Sequence, residues 1–241
     1  TNVQLRDILR ELTKKVKTFE VAEYKNPQMQ TVTGEPGDKI TNETLMPRYE
    51  RFFKPNDIII AESGNSSIGL GGMKLPDGAV YHAGLVWSAI GYATPASLGT
   101  CLGDPTRRTV IITGDGSHQL TANELGNFYR HGAKPIMFVV NNGGFSVERA
   151  IEEYPDYEYN DIANWDYHKL PAALGCKDWF TARVTTLGEL DAAMATASEA
   201  DTACYIEIVM DKHDFPAASK ALGTRWLEVY AIAQRPGQPP E

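Results

Sequence analysis

Cysteine is scarce in this chain. Cys101, Cys176 and Cys204 are scattered and odd in number, and no Cys-x-x-Cys pair occurs. That pattern excludes a disulfide framework and a thiolate zinc site. It fits free thiols in a reducing compartment, so a cytoplasmic location is expected. Long apolar runs are also missing: a stretch such as Pro135 to Val140 is far too short to span a bilayer. No secretory signal pattern is visible. Clusters of Lys and Arg are absent too, and the formal net charge is -8. Neither a nucleic-acid partner nor an anionic membrane surface is expected of such a chain. The first residue is Thr1 rather than Met, as in a processed chain or part of a longer polypeptide.

What is present is ordinary globular material: 241 residues, 42% hydrophobic and 22% charged. That suffices for one substantial core. Val3 to Val16 reads as an amphipathic helix, with Leu5, Ile8, Leu9 and Leu12 at helical spacing. Lys25 to Lys39, with two prolines and two glycines, reads as an extended arm. Thr41 to Phe53 is predicted helical, with Thr41 or Asn42 as its cap. From residue 57 short β-branched runs take over. Asp57–Ala61, Thr109–Thr113 and Pro135–Val140 each end in a loop of Gly, Ser, Asn or Asp. Helices are predicted at Thr94–Leu102, Gln119–Arg130 and Leu187–Ala200, and further strands at Trp179–Val184 and Tyr205–Met210. Buried strands alternating with helices predict an α/β fold, a parallel sheet with helices on both faces. The division expected is a linker helix and arm over residues 1–40, a binding domain over 41–225 and a C-terminal tail over 226–241, disordered from Arg235.

Three polar loops at the carboxyl edge of one sheet mark the place where open α/β folds bind ligands. In Gly114-Asp115-Gly116-Ser117 the glycines let backbone amides approach a phosphate. The helix that follows turns its amino end towards the same point. An Asp beside a phosphate repels it unless a cation lies between them. Asp115 therefore reads as a ligand of Mg²⁺, which favours few carboxylates plus phosphate oxygens. Taken alone, the tetrapeptide is as readily a simple turn. Asn142 follows Asp115 by 27 residues, at the end of the next strand. It offers a neutral amide oxygen, and Gly143-Gly144 offers a backbone carbonyl.

This pairing of Gly-Asp-Gly with Asn-Asn resembles the diphosphate-binding signature of thiamine-diphosphate enzymes. The resemblance runs from about Asp57 to Pro216, and the sequence looks most like the pyruvate and indolepyruvate decarboxylase branch. The stretches that carry it are Ile60–Ser66, Leu75–Ala79, Val86–Tyr92, Gly114–Thr121, Asn141–Glu148 and Tyr159–Trp165. The resemblance implies that Asp115, Asn142 and the Gly144 carbonyl hold Mg²⁺. It implies that Ser63, Asn65, Gly114, Gly116 and Ser117 contact the diphosphate. It makes Ile90 the wedge that bends the cofactor, and the Ser88 carbonyl the acceptor for its amino group. Without the resemblance, Ile90 reads as core. Glu148, in Gly144-Phe-Ser-Val-Glu148, matches the acid that handles a proton after CO₂ leaves. Its alternative is a solvated acid at a helix start. Val147 and Ile151 would flank a 2-oxo acid. Ser63 and Asn65 depart mildly from the family pattern. His118 stands where the family is often uncharged, and reads as structural or as tuning the site's charge; His82 and His213 read as structural.

In the family an acid from a separate pyrimidine-binding domain, on a neighbouring subunit, activates the cofactor. No counterpart is visible in these 241 residues. The expectation is therefore one part of a homo- or hetero-oligomeric 2-oxo acid decarboxylase, using thiamine diphosphate and Mg²⁺, with its pyrimidine-binding domain supplied elsewhere. The alternatives are an acetolactate-synthase-like carboligase, against which Glu148 argues, and a non-catalytic cofactor-binding module.

Overall fold

The computed structural model describes residues 4–17 and 27–233. In chain order it contains α1 (Leu5–Lys15), α2 (Asn42–Phe52), β1 (Ile58–Ala61), α3 (Asn65–Leu70), β2 (Val80–Ala83), α4 (Ala93–Gly103), β3 (Thr109–Gly114), α5 (Asp115–Gln119), α6 (Leu125–Arg130), β4 (Ile136–Asn141), α7 (Ser146–Ile151), α8 (Leu170–Ala173), β5 (Phe180–Val184), α9 (Leu187–Glu199), β6 (Cys204–Val209) and α10 (Ala217–Ala233). The strands form one six-stranded sheet in the order β2-β1-β3-β4-β6-β5. Every pairing is parallel. This is the expected α/β sheet.

The strand residues alternate between two cores, as a two-residue period requires. Ile59, Val110, Ile112, Phe138, Ile206 and Ile208 join Leu45, Tyr49 and Phe52 of α2 and Leu190 and Met194 of α9 on one face. Ile58, Ile60, Ile111, Met137, Val139 and Tyr205 join Ala93 of α4 and Leu125 and Phe128 of α6 on the other. Burial on both faces is why the strands read as continuous β-branched runs. α2 starts where a capping box forms: the Thr41 hydroxyl accepts from the Thr44 amide, and the Thr41 amide donates to the Thr44 hydroxyl. Thr186 and Glu189 repeat the device at α9.

Several local expectations shift. The polar run after β1 is a loop only as far as Gly64; α3 starts at Asn65. The helix predicted from Gln119 begins four residues earlier, at Asp115, and is broken at Leu120–Thr121 before α6. The edge strand β2 lacks a β-branched run and was not foreseen in the sequence reading. The arm from residue 27 docks on the start of α9, where the amides of Leu187 and Gly188 donate to the carbonyls of Asp38 and Pro36. α10 runs from Ala217 to Ala233, across residue 226, where the tail is expected to begin. Val3, residues 25 and 26 of the arm, and the stretch from Arg235 lie outside the described residues. α1 buries none of its side chains.

Candidate functional site

β1, β3 and β4 are neighbours, so the loops following them meet at one edge of the sheet. β3 delivers Asp115 as the first residue of α5, and its side chain is buried. One carboxylate oxygen, Oδ2, accepts from the amides of Asn142 at 3.0 Å, Gly143 at 2.7 Å and Gly144 at 3.2 Å. The other, Oδ1, accepts from its neighbour Gly116 at 2.7 Å. The loop after β4 thus wraps its amides around the acid of the loop after β3. Burial pushes the Asp115 carboxyl up to about 6, against the lowering pull of the four amides.

The two loops also interlock through their glycines. A Cβ on Gly116 would lie 2.6 Å from the Phe145 ring. Gly144 has a φ of +151°, and a Cβ there would overlap the carbonyl oxygen of Asn160. Ser146, to which the sequence assigns no role of its own, joins the loop after β4 to Asn65 at the start of α3. Its hydroxyl takes the Nδ2 groups of both Asn65 and Asn142, each at 2.8 Å. It thereby orients two residues 77 positions apart in the chain, and only their meeting in the fold reveals its role.

Above this junction lies a cavity of about 250 Å³. It is lined by Ser63, Asn65, Ile90, Gly114, Asp115, Gly116, Ser117, Asn142, Gly144, Val147 and Glu148, so the fold gathers these predicted positions. Gly64, Ser66, Val140, Phe145 and Ser146 complete the lining. Ser88 and Ile151 are not part of it. Ser88 lies in an exposed turn with a φ of +50°. Ile151 is the last residue of α7. Glu148 is exposed at the rim, yet desolvation and then the charge of Glu152 hold its carboxyl above the usual range.

The donor set suits a diphosphate with a hard cation. The Asn65 Oδ1 is buried without a partner. If the amide turns over, the Ser146 hydroxyl can donate to that oxygen and Nδ2 is freed to donate into the cavity. Ser63 and Ser117 add hydroxyls to the same wall. Among the described residues no three or more His, Cys, Asp and Glu side chains cluster as an all-side-chain metal site needs. A cation here would draw on Asp115, the Asn142 amide oxygen and the Gly144 carbonyl, with phosphate oxygens completing its shell. The Gly144 carbonyl already accepts from the Ser146 amide at 3.0 Å, which leaves it one lone pair.

A family model described as thiamine pyrophosphate enzyme, C-terminal TPP binding domain, matches residues 62–208. The chain belongs to this family. Thiamine diphosphate (the same compound as thiamine pyrophosphate) is therefore its cofactor. Alpha-keto-acid decarboxylase of Mycobacterium leprae (strain TN) is 39% identical over 191 residues, covering 79% of this chain and 33% of that protein. The protein of the same name from Mycobacterium avium (strain 104) is 39% identical over 180 residues, 73% of this chain and 31% of that protein. The one from Mycobacterium tuberculosis (strain ATCC 25618 / H37Rv) is 37% identical over 182 residues, 74% and 32% respectively. This thiamine-diphosphate domain thus spans about a third of the length of the curated relatives it matches.

His118, one turn past Asp115, is fully buried against Tyr167 and Tyr205. Its Nδ1 lies 3.2 Å from the Thr94 hydroxyl, and its Nε2 has no partner. Burial holds its pKa down to about 4, so it is neutral at physiological pH and adds no charge to the site. Among the described residues no helix is long and apolar enough to cross a membrane.

Proposed function

We propose that this thiamine-diphosphate domain serves a non-oxidative 2-oxo acid decarboxylase that releases CO₂ and an aldehyde. The substrate class is that of pyruvate, indolepyruvate and phenylpyruvate. The observation that carries the proposal is the position of Glu148. It sits on α7, at the rim of the same cavity whose floor is the Asp115 nest. In this reading Asp115, Asn142 and the Gly144 carbonyl hold Mg²⁺, and Ser63, Asn65, Gly114, Gly116 and Ser117 hold the diphosphate. Ile90 supports the cofactor from one wall, and the Ser88 carbonyl accepts from its amino group. When bound, thiamine diphosphate supplies a thiazolium carbon that stabilises the negative charge left as CO₂ departs. Glu148 holds the proton that replaces the lost carboxylate, and desolvation, followed by the charge of Glu152, raises its carboxyl in the direction that favours the protonated form. Val147, in the cavity wall, excludes water beside the substrate's side chain, and Ile151 flanks that site from the end of α7, outside the lining.

The same reading requires a pyrimidine-binding domain supplied by another part of the protein or by another subunit. The surface next to Ile90 supports this. Leu85, Val86, Trp87 and Ile90 are exposed, with Trp87 at 89%. An apolar patch of this kind marks an interaction site. The test is an assay of the full-length protein with thiamine diphosphate and Mg²⁺, following CO₂ and aldehyde from those three substrates. Release of both from at least one is the expected result; acetolactate-type products without free aldehyde would overturn the assignment.

A further inference from the structure

Tyr159-Asn-Asp-Ile-Ala-Asn-Trp165 has no role in the chemistry described above, yet it contacts both the end of α5 and the loop after β4 that meet at Asp115 and Asn142. The Asn160 carbonyl accepts from the Phe145 amide at 2.9 Å and leaves no room for a Cβ on Gly144. Asp161 forms a β-bridge with Gly144. The Ala163 carbonyl accepts from the Gln119 side chain at 2.6 Å, at the end of α5. Asn164 accepts from the Asn141 amide group at 3.4 Å. One short segment is therefore tied to both loops of the Asp115–Asn142 site.

Asn160 is held from behind. Its side chain is fully buried, and Nδ2 donates to Glu152 at 2.7 Å, while Oδ1 has no partner. The other oxygen of Glu152 accepts from the Tyr159 hydroxyl at 2.7 Å. Arg149, fully buried on α7, donates to the Pro155 carbonyl at 2.8 Å and to Asp161. The segment between α7 and Asn160 is thus folded back onto α7, with Glu152 and Arg149 as its two anchors.

We propose that Asn160, anchored by Glu152, is the positioning residue that sets the Gly143–Phe145 turn and so aims the Gly144 carbonyl at the cation. The inference rests on the metal reading given under Proposed function. Groups one shell out from a metal, which fix the orientation of its ligands, typically change affinity tenfold to a hundredfold when removed.

The test is calorimetric titration of MgCl₂ into the full-length protein at saturating thiamine diphosphate, beside thermal melts without Mg²⁺. Asn160→Ala and Glu152→Ala should each weaken Mg²⁺ binding about tenfold or more. The double variant should be no weaker than the worse single one, because the two residues act as one unit. Glu152→Gln keeps an oxygen for Asn160 and should restore most of the affinity. Tyr159→Phe, which leaves Asn160 anchored, should bind Mg²⁺ as the unmodified protein does. Full Mg²⁺ affinity in folded Asn160→Ala, or additive losses in the double variant, would overturn the proposal. If Asn160→Ala does not fold, the Glu152 pair decides: equal losses in Ala and Gln reject the role, and rescue by Gln supports it. Asp115→Ala separates the two readings. Undiminished Mg²⁺ binding there rejects the metal site itself, whereas loss at Asp115 with none at Asn160 rejects only the positioning role.

Discussion

The two ends of the cavity are finished to different degrees. At the floor, Asp115 is buried and accepts from four amides, Gly116 and Phe145 are in tight contact, and Ser146 bridges Asn65 and Asn142. Next to Ile90 in the cavity wall, residues 85–89 hold Ser88 in a left-handed conformation and expose Val86 and Trp87 almost completely. The first end is held by contacts within the chain and does not depend on a partner. The second leaves apolar surface in water at a cost of about 25 cal/mol for each Å². The open end is where the pyrimidine-binding partner proposed above would dock.

The sharpest way to break this comparison is at the floor. Asp115→Ala should remove Mg²⁺-dependent binding of thiamine diphosphate altogether, read by calorimetry on the assembled protein. Undiminished binding would show that the floor is only a structural junction. Next in size is Glu148→Gln at the rim. It should leave cofactor binding intact while lowering turnover by about 10²–10⁴-fold, the usual weight of a positioned acid–base group. An unchanged turnover number would remove Glu148 from the mechanism.

His118 tests how thoroughly the floor is sealed. Its pKa falls from 6.5 when exposed to about 4 when buried. The unfolded chain therefore binds a proton between those values that the folded chain does not. The contribution is complete above about pH 6.5 and is lost as pH falls towards 4, amounting to about 3 kcal/mol. The raised Asp115 acts with the opposite sign: its folded form holds a proton that the unfolded form releases, so its contribution is lost as pH rises towards about 6. His118→Leu should therefore gain on the unmodified chain by about 3 kcal/mol between pH 7 and pH 4. Urea midpoints of the two proteins at both pH values, without Mg²⁺, give the comparison directly. A constant gap would mean that the imidazole is hydrated. The smallest effect belongs to the open end. Trp87→Ser should weaken association with the pyrimidine-binding partner by about 2 kcal/mol, as loss of a buried interface Trp does. It should not alter the melting temperature of this domain. Sedimentation equilibrium of the full-length protein reads the first, and a fall in melting temperature with no change in assembly would place Trp87 in this domain's own packing instead.

How much was legible beforehand follows from where each constraint lies. The runs Ile58–Ala61, Thr109–Gly114 and Ile136–Asn141 are buried on both faces, so their composition announces them. β2 has three half-exposed residues and one exposed one, His82, and no such run, so nothing in its composition marks it. The start of α5 is hidden in the sequence because Asp115 and Gly116 look like turn residues, and they are helical where they pack against the loop after β4. No local sequence pattern around Glu152 shows that it holds Asn160.

The sequence by itself determined the parallel sheet and the pairing of Asp115 with Asn142. Both depend on hydrophobic period or on spacing between adjacent strands, which are written along the chain; the expectation for Glu148 came from the family resemblance. Tertiary structure alone decided that three amides close on one Asp115 oxygen, that Ser146 joins Asn65 to Asn142, and that Asn160 props Gly144. Those contacts join residues that share no local pattern, and they exist only once the packing of the strands has brought their loops to one edge.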